Sequence, residues 1–161
     1  MKDDQNFWNF WLLVLSGAFL FLELWILAYL GKLPTGISLF DLTLIVFATF
    51  RLTRLFVYDT IMQFVRDLFL KKEVRTEDGK LYIKREKCQS GIKRALSDLF
   101  SCPWCAGLQL AILVVFFYYL TSLSWIVILM FAVGGAATFI QLAANAVGWR
   151  AEFYKKRVEG K

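Results

Sequence analysis

The chain has 161 residues, of which 58% are hydrophobic and 17% aromatic, and its formal net charge is +6. A soluble domain of this length cannot bury so much apolar surface, so the composition excludes a soluble globular protein and indicates contact with lipid. Charges are also segregated: none lies between Ser101 and Trp149, and Glu23 is the only charged residue between Phe7 and Gly31. Each block reaches the about 20 apolar residues with which a helix crosses about 30 Å of hydrocarbon.

The apolar blocks predict an all-α integral membrane protein that forms a single membrane domain over residues 1–161. Four transmembrane helices are expected, over about residues 8–30, 37–57, 106–120 and 125–147. The short polar segment 121–124 between the last two predicts an antiparallel helical hairpin. Two acids precede the first helix and no small-x-small cleavage site follows it, which favours a retained helix over a signal peptide.

The positive residues are concentrated in two segments. Twelve of the nineteen Lys and Arg lie between Arg51 and Trp104, and five follow Trp149. Because positive residues stay on the cytoplasmic side, we expect a basic cytoplasmic loop (58–104), a basic cytoplasmic tail (150–161) and both termini inside. The cations alternate with acids beside membrane helices, which favours attraction to anionic lipid over nucleic-acid binding.

The basic loop has a predicted organisation of its own. Apolar residues at helical spacing from Ile61 to Phe69 predict an interfacial amphipathic helix over about residues 60–72. Asp78 and Gly79, between two short β-prone runs, predict a small β-hairpin. Ser90 is the expected N-cap of a second surface helix, whose apolar stripe ends at Phe100.

Several polar residues lie inside the predicted spans. Arg51 and Arg54 share one face of the second helix, and they either snorkel to the inner headgroups or meet the fourth helix. Glu23 in the first helix is interpreted as a packing or oligomer contact, with a proton or ion role as the alternative. In the fourth helix a small or polar stripe favours close helix packing and consists of Gly134, Thr138, Gln141, Asn145 and Gly148.

Cys102 and Cys105 flank a proline at the start of the third span. Pro103 suits the first turn of a helix, so Cys102 or Ser101 is the expected cap, and a thiol there has a lowered pKa. Three interpretations stay open: an interfacial structure with Trp104 as anchor, a zinc site at the two cysteines shared between loops or chains, and thiol redox chemistry. A reducing cytoplasm and the lack of His favour the first.

Two stretches, "FRLTRLFVYDTI" and later "LSDLFSCPWCAGLQLA", resemble an uncharacterised bacterial family catalogued as domain of unknown function 1360, over about residues 44–148. Its members include sporulation-associated and phage-encoded small membrane proteins, and the resemblance implies no assigned activity. The first span lies outside it. The positions carried over are Arg51, Thr53, Arg54, Asp59, Ser101, Cys102, Trp104, Cys105 and Gly107.

The resemblance also implies that the two motifs form one constellation at the inner membrane face. In one arrangement, Arg51 or Arg54 lies near a cysteine and stabilises its thiolate. In the other, Asp59 pairs with an arginine and the thiols are packing groups.

Three classes of function follow for a protein of the bacterial cytoplasmic (inner) membrane. The favoured class is a non-catalytic multi-pass protein that binds a second copy or another membrane protein, because the chain has a packing stripe and no recognisable catalytic set. The alternatives are a phage-type holin or small channel, and a thiol redox or zinc-dependent sensor. The lipid bilayer is a partner in all three.

Overall fold

The computed structural model describes residues 2–77 and 80–158 and is mostly helical. A 3₁₀-helical turn at Thr60–Met62 follows the second helix. In chain order the other elements are α1 (Lys2–Tyr29), α2 (Leu39–Val57), α3 (Gln63–Asp67), β1 (Leu70–Glu77), β2 (Lys80–Lys87), α4 (Ile92–Ser101), α5 (Pro103–Leu120) and α6 (Ser122–Val158).

Three helices are long and apolar enough to cross a membrane: residues Gln5–Tyr29 of α1, α5 and α6. The sequence predicts one more span, the second in chain order, at 37–57. There α2 has 19 residues but carries Asp41, Arg51 and Arg54. Because of these charges, length and apolar composition identify three membrane helices rather than four. The mostly helical fold is confirmed, with three helices able to cross a membrane, and the predicted count of four spans is not established by length and composition.

The helix α2 lies at the centre of the packed core. Its buried residues Leu44, Ile45 and Ala48 contact buried side chains of α5 and α6, and Ala48 is completely inaccessible. The partners on the other helices are Val114, Ile128 and Ala132. The helix that carries Asp41, Arg51 and Arg54 is therefore the one most enclosed by the others.

The backbones of α2 and α6 approach each other closely at Gly135. A Cβ atom built there would lie 2.1 Å from the Phe47 carbonyl oxygen, so no side chain fits at this position. One turn further on, the ring of Phe139 lies against Phe50, with centroids 6.2 Å apart. The Phe139 ring also lies 6.3 Å from the Phe47 ring, so this part of α6 packs along one stretch of α2.

The loop between α2 and α5 differs from its prediction at two helix boundaries. The predicted amphipathic helix over 60–72 ends at Asp67, because Leu70 already pairs with Lys87 in an antiparallel sheet. The predicted hairpin is confirmed, although its turn residues Asp78 and Gly79 lie outside the described residues. Gly91, at φ 91°, holds the N-cap position of α4, so the prediction of Ser90 as N-cap is wrong.

The last helix is longer than the predicted span over 125–147. At about 1.5 Å per residue, its 37 residues extend well beyond the about 30 Å of a hydrocarbon core. Residues 150–158 of the basic tail are therefore a helical continuation of α6.

Candidate functional site

Arg51 and Asp59 form an ion pair where the chain leaves α2. Arg51 Nη1 donates to Asp59 Oδ2 over 2.8 Å, and each side chain keeps just over a quarter of its surface exposed. Tyr58 ends the helix and Asp59 has extended backbone, so the chain turns back and brings the carboxylate under the arginine. The pair thus fixes the direction in which the loop leaves α2.

Arg66, which the sequence analysis does not single out, also binds this segment. Arg51, Asp59 and Arg66 together form the arginine–aspartate corner at the end of α2. Arg66 Nη1 donates to the Phe56 carbonyl, and its Nη2 donates to the Asp59 carbonyl and to Gln63 Oε1, each at 2.8 Å. The Phe56 carbonyl is one of the last four of α2, which lack partners within the helix. A cation shortly after a helix end is a known way to satisfy such carbonyls, and this is the sequence signal that could have identified Arg66.

Arg54 lies on the same face of α2 as Arg51 but makes different contacts. Its guanidinium carbon lies 5.3 Å from the centroid of the Tyr58 ring, a cation–π arrangement. Its buried Nε has no hydrogen-bond partner among the described residues. The two arginines of the motif therefore have separate local roles, one in an ion pair and one over an aromatic ring.

The two motifs carried by the family resemblance meet between α2 and α5. A Cβ atom at Gly107 would lie 3.4 Å from Thr53 Oγ1, so the two helices touch at this level. In α4, the helix that precedes α5, Phe100 stacks on Phe69 with ring centroids 5.4 Å apart. Ser101 Oγ donates to the Ser97 carbonyl in the same helix, 2.6 Å away.

Cys102 caps α5, as one of the two predicted caps. The Cys105 backbone N–H donates to Cys102 Sγ over 3.4 Å, and Pro103 occupies the first turn. Hydrogen bonds from Cys105, through its side chain and its backbone, lower the pKa of the Cys102 thiol. Asp59 pairs with Arg51, which is the second of the two arrangements that the resemblance allows, and no arginine contributes to the lowered Cys102 pKa.

The cysteines are free thiols and Trp104 lies on the surface. Cys88 is buried and Cys105 is exposed, while the Trp104 side chain is 86% exposed. Within residues 2–77 and 80–158, no group of three or more Cys, Asp or Glu side chains is placed to hold a metal ion. A zinc ion at Cys102 and Cys105 would therefore need further ligands from outside the described residues.

The predicted stripe of α6 divides into two parts. A Cβ atom at Gly134 would lie 3.7 Å from Arg51 Cγ, and Thr138 Oγ1 donates to the Gly134 carbonyl. Gln141 and Asn145 are exposed, and Gln141 Nε2 donates to Asn145 Oδ1 over 3.0 Å. The part of the stripe at Gly134 and Thr138 faces α2, whereas the part at Gln141 and Asn145 faces away from the other helices.

These features define a mostly helical protein with three helices long and apolar enough to cross a membrane, in which the central helix α2 ends in an arginine–aspartate corner. The chain belongs to the family described as protein of unknown function (DUF1360), which matches residues 44–144. The match includes the corner, Cys102 and Cys105, and it leaves out α1. The predicted family resemblance is therefore confirmed.

Two relatives come from Bacillus subtilis (strain 168). The chain is 33% identical over 103 residues to the sporulation protein YjcA, covering 62% of this chain and 86% of that protein. It is 29% identical over 110 residues to the UPF0713 protein YngL, covering 68% of this chain and 82% of that protein. No solved structure matches the chain.

Proposed function

We propose that this is a four-span, non-catalytic protein of the bacterial inner membrane that acts by self-association through the exposed polar face of α6. Both termini and the basic loop lie on the cytoplasmic side in this proposal. No resident cofactor is assigned, and another membrane protein is the alternative occupant of the same face. The name of one relative makes sporulation the process in which to look first for a phenotype.

The position of α2 supports four spans rather than three. A helix whose charged residues face protein rather than lipid can cross a bilayer despite them, and α2 is the central helix of the core. Its 19 residues extend for about 28 Å, close to the thickness of the hydrocarbon region. Arg51 is paired with Asp59 near the end of the helix, where water and headgroups are within reach.

The ends of the helices support the same arrangement. Lys32, after α1, donates through Nζ to the Leu120 carbonyl at the end of α5, so these two connections lie together. At the other end of α1, Trp8 shares a hollow with Lys71 and Ile92 of the basic loop. One end of the bundle thus holds the two short connections, and the other holds the N-terminal helix start and the cation-rich loop, as the distribution of positive residues requires.

One observation supports self-association: the second half of α6, from residue 139 onwards, is exposed. Every residue from Phe139 to Val158 is exposed, although no charge occurs before Arg150. Gln141 and Asn145 bond to each other on this outer surface. Amide side chains that face hydrocarbon are costly, and a second helix that brings matching amides removes that cost.

The proposal is tested by energy transfer between donor-labelled and acceptor-labelled copies reconstituted into lipid vesicles. Efficient transfer is expected for the wild-type chain, and the Gln141→Leu/Asn145→Leu variant should lose most of it. Val147→Leu, an apolar exchange at another exposed position of α6, is the matched control and should leave transfer unchanged. No transfer in the wild type, or equal transfer in all three proteins, would overturn self-association through this face.

Thiol chemistry at Cys102 is a second candidate, favoured by the lowered pKa of a thiol at a helix N-terminus. Its test is thiol titration and elemental analysis of detergent-purified protein, beside Cys102→Ser and Cys105→Ser variants. A redox couple or stoichiometric zinc that disappears in either variant would establish it. Ordinary stable thiols without metal would exclude it.

A further inference from the structure

A hollow of about 510 Å³ lies where the start of α1 meets the basic loop. Trp8 of α1 forms one side, and the other side comes from Lys71 in β1 and from the residues around the start of α4. Among the described residues that form its wall, two are cations, Lys71 and Lys93, and none is an acid. Both lysines are exposed, so their ammonium groups are accessible to a ligand.

These two lysines differ from other cations around α4, which have a counter-ion. Lys87 Nζ lies 2.6 Å from Asp98 Oδ1, and Arg94 Nε lies 3.6 Å from Oδ2 of the same carboxylate. Within residues 2–77 and 80–158, neither Lys71 nor Lys93 forms an ion pair. Two unpaired like charges beside one hollow raise its positive potential, which favours an anion there.

The start of α4 adds to the field of the two lysines. Gly91 holds the N-cap position and has no side chain, so the first N–H groups of α4 receive no side-chain acceptor. The partial positive charge at a helix N-terminus favours anions, including phosphate groups. Gln89 and Ser90, which are exposed in the same wall, supply further hydrogen-bond donors. Positive charge and donors therefore surround the hollow from two separate elements.

The position of Trp8 indicates which anion suits the hollow. Trp8 is half-buried and lies at the start of Gln5–Tyr29, the part of α1 that is able to cross a membrane. Tryptophans at the ends of such helices lie at the level of the lipid headgroups, so a hollow that begins at Trp8 opens where lipid phosphates are. Basic pockets beside the cytoplasmic ends of membrane helices are typical sites for such headgroups. A phosphate carried by a lipid therefore fits better than a free one.

We propose that this hollow binds the headgroup of an anionic phospholipid of the inner leaflet, with the phosphate at Lys71 and Lys93 and the glycerol backbone against Trp8. The assignment to the inner leaflet rests on the proposed orientation of the chain, whereas the site is independent of self-association through α6. Both lysines lie within the family match and Trp8 lies outside it. The site thus arises where this chain's own first helix meets the shared loop.

The experiment is native mass spectrometry of the full-length protein in uncharged detergent, titrated with phosphatidylglycerol or with phosphatidylcholine of the same acyl chains. Both lipids carry the phosphate, but choline cancels its charge. One phosphatidylglycerol should bind tighter than phosphatidylcholine by about tenfold or more. Glycerol phosphate, which has the headgroup charge without the acyl chains, distinguishes a lipid site from a site for free phosphate and should not displace the lipid at equal concentration.

Variants test whether the two lysines of the hollow carry this selectivity. Lys71→Gln and Lys93→Gln should each weaken phosphatidylglycerol binding by about fivefold, and the double variant by about 25-fold. Lys71→Arg/Lys93→Arg keeps both charges and should bind as the wild type does. Arg150→Gln/Lys156→Gln, the matched control, removes two cations from the exposed end of α6 and should weaken binding by about twofold at most. Far-UV circular dichroism establishes that each variant is folded.

The proposal is overturned if phosphatidylcholine binds equally well, if the double glutamine variant binds phosphatidylglycerol as the wild type does, or if the control on α6 loses as much affinity as that variant. Displacement of the lipid by an equal concentration of glycerol phosphate would assign the hollow to a soluble anion instead. Lipid binding is measured on single copies of the chain, so its failure is distinguishable from a failure of self-association.

Discussion

Replacement of Gly135 by alanine is predicted to force α2 and α6 apart. The new Cβ would lie 2.1 Å from the Phe47 carbonyl oxygen, and ordinary contact begins at 3.4 Å, so the helices must separate by more than an ångström. The obstacle is backbone and cannot rotate away. Overpacking of this kind costs about 1–3 kcal/mol, which exceeds the about 0.5–1 kcal/mol by which alanine is favoured over glycine within a helix.

The neighbouring glycine provides the matched control. A Cβ at Gly134 would lie 3.7 Å from the Arg51 side chain, an ordinary contact, so Gly134→Ala keeps the helix gain without the clash. The assay is unfolding of the purified protein in mixed micelles of rising SDS fraction, followed by far-UV circular dichroism. Gly135→Ala should unfold at a lower SDS fraction than the wild type, and Gly134→Ala at the same or a higher fraction. Equal midpoints for the two variants would refute the close approach at Gly135.

Three further predictions concern the end of α2 and the start of α5. In a double-mutant cycle of Arg51→Leu and Asp59→Leu, the pair should show a coupling of up to about 1 kcal/mol in the same unfolding assay, because both groups are partly exposed. Arg66→Met should destabilise the protein by about 2 kcal/mol, since two backbone carbonyls lose a charged donor. Because the Cys102 pKa is lowered, its thiolate persists to lower pH than that of an ordinary thiol. Alkylation followed by mass spectrometry should therefore show that the pH dependence of the Cys102 alkylation rate is displaced to lower pH. Cys105→Ala should move this pH dependence back towards that of an ordinary thiol.

Each of these has a control within the chain. The exposed Glu152–Lys156 pair of α6 should show almost no coupling, and equal coupling in the two cycles would contradict a special role for the corner. Arg94 donates to a surface carbonyl, so Arg94→Met should cost less than Arg66→Met. Buried Cys88 should be alkylated slowly at every pH, and a profile of Cys102 like that of a free thiol would disprove its lowered pKa.

The sequence predicts the elements that depend on local composition. Long runs with few or no charged residues predict α1, α5 and the first part of α6, and the dipeptide Asp78-Gly79 between β-prone runs predicts the strands β1 and β2 on either side. Pro103 likewise marks the first turn of α5, since its missing N–H costs nothing there.

Features that depend on non-local pairing are not visible in the same way. The apolar spacing from Ile61 to Phe69 predicts a helix that continues to about residue 72, yet the backbone of Leu70 pairs with Lys87 from the far strand and the helix stops early. The adjacent residues Gly134 and Gly135 are equivalent in sequence. Only Gly135 packs against the backbone of Phe47. On α6 the residues Ile128, Ala132 and Gly135 are therefore buried, whereas Gln141 is exposed.

The proposed four-span arrangement is tested most directly by the sides of the membrane on which the connections lie. Single cysteines at Thr35, Ser122, Gln89 and Lys155 in a cysteine-free variant would be labelled with a membrane-impermeant maleimide, in intact spheroplasts and after lysis. If α2 crosses the membrane, Thr35→Cys and Ser122→Cys are labelled in intact spheroplasts, whereas Gln89→Cys and Lys155→Cys react only after lysis. Labelling of Thr35→Cys and Gln89→Cys under the same condition would place both ends of α2 on one side and contradict the account.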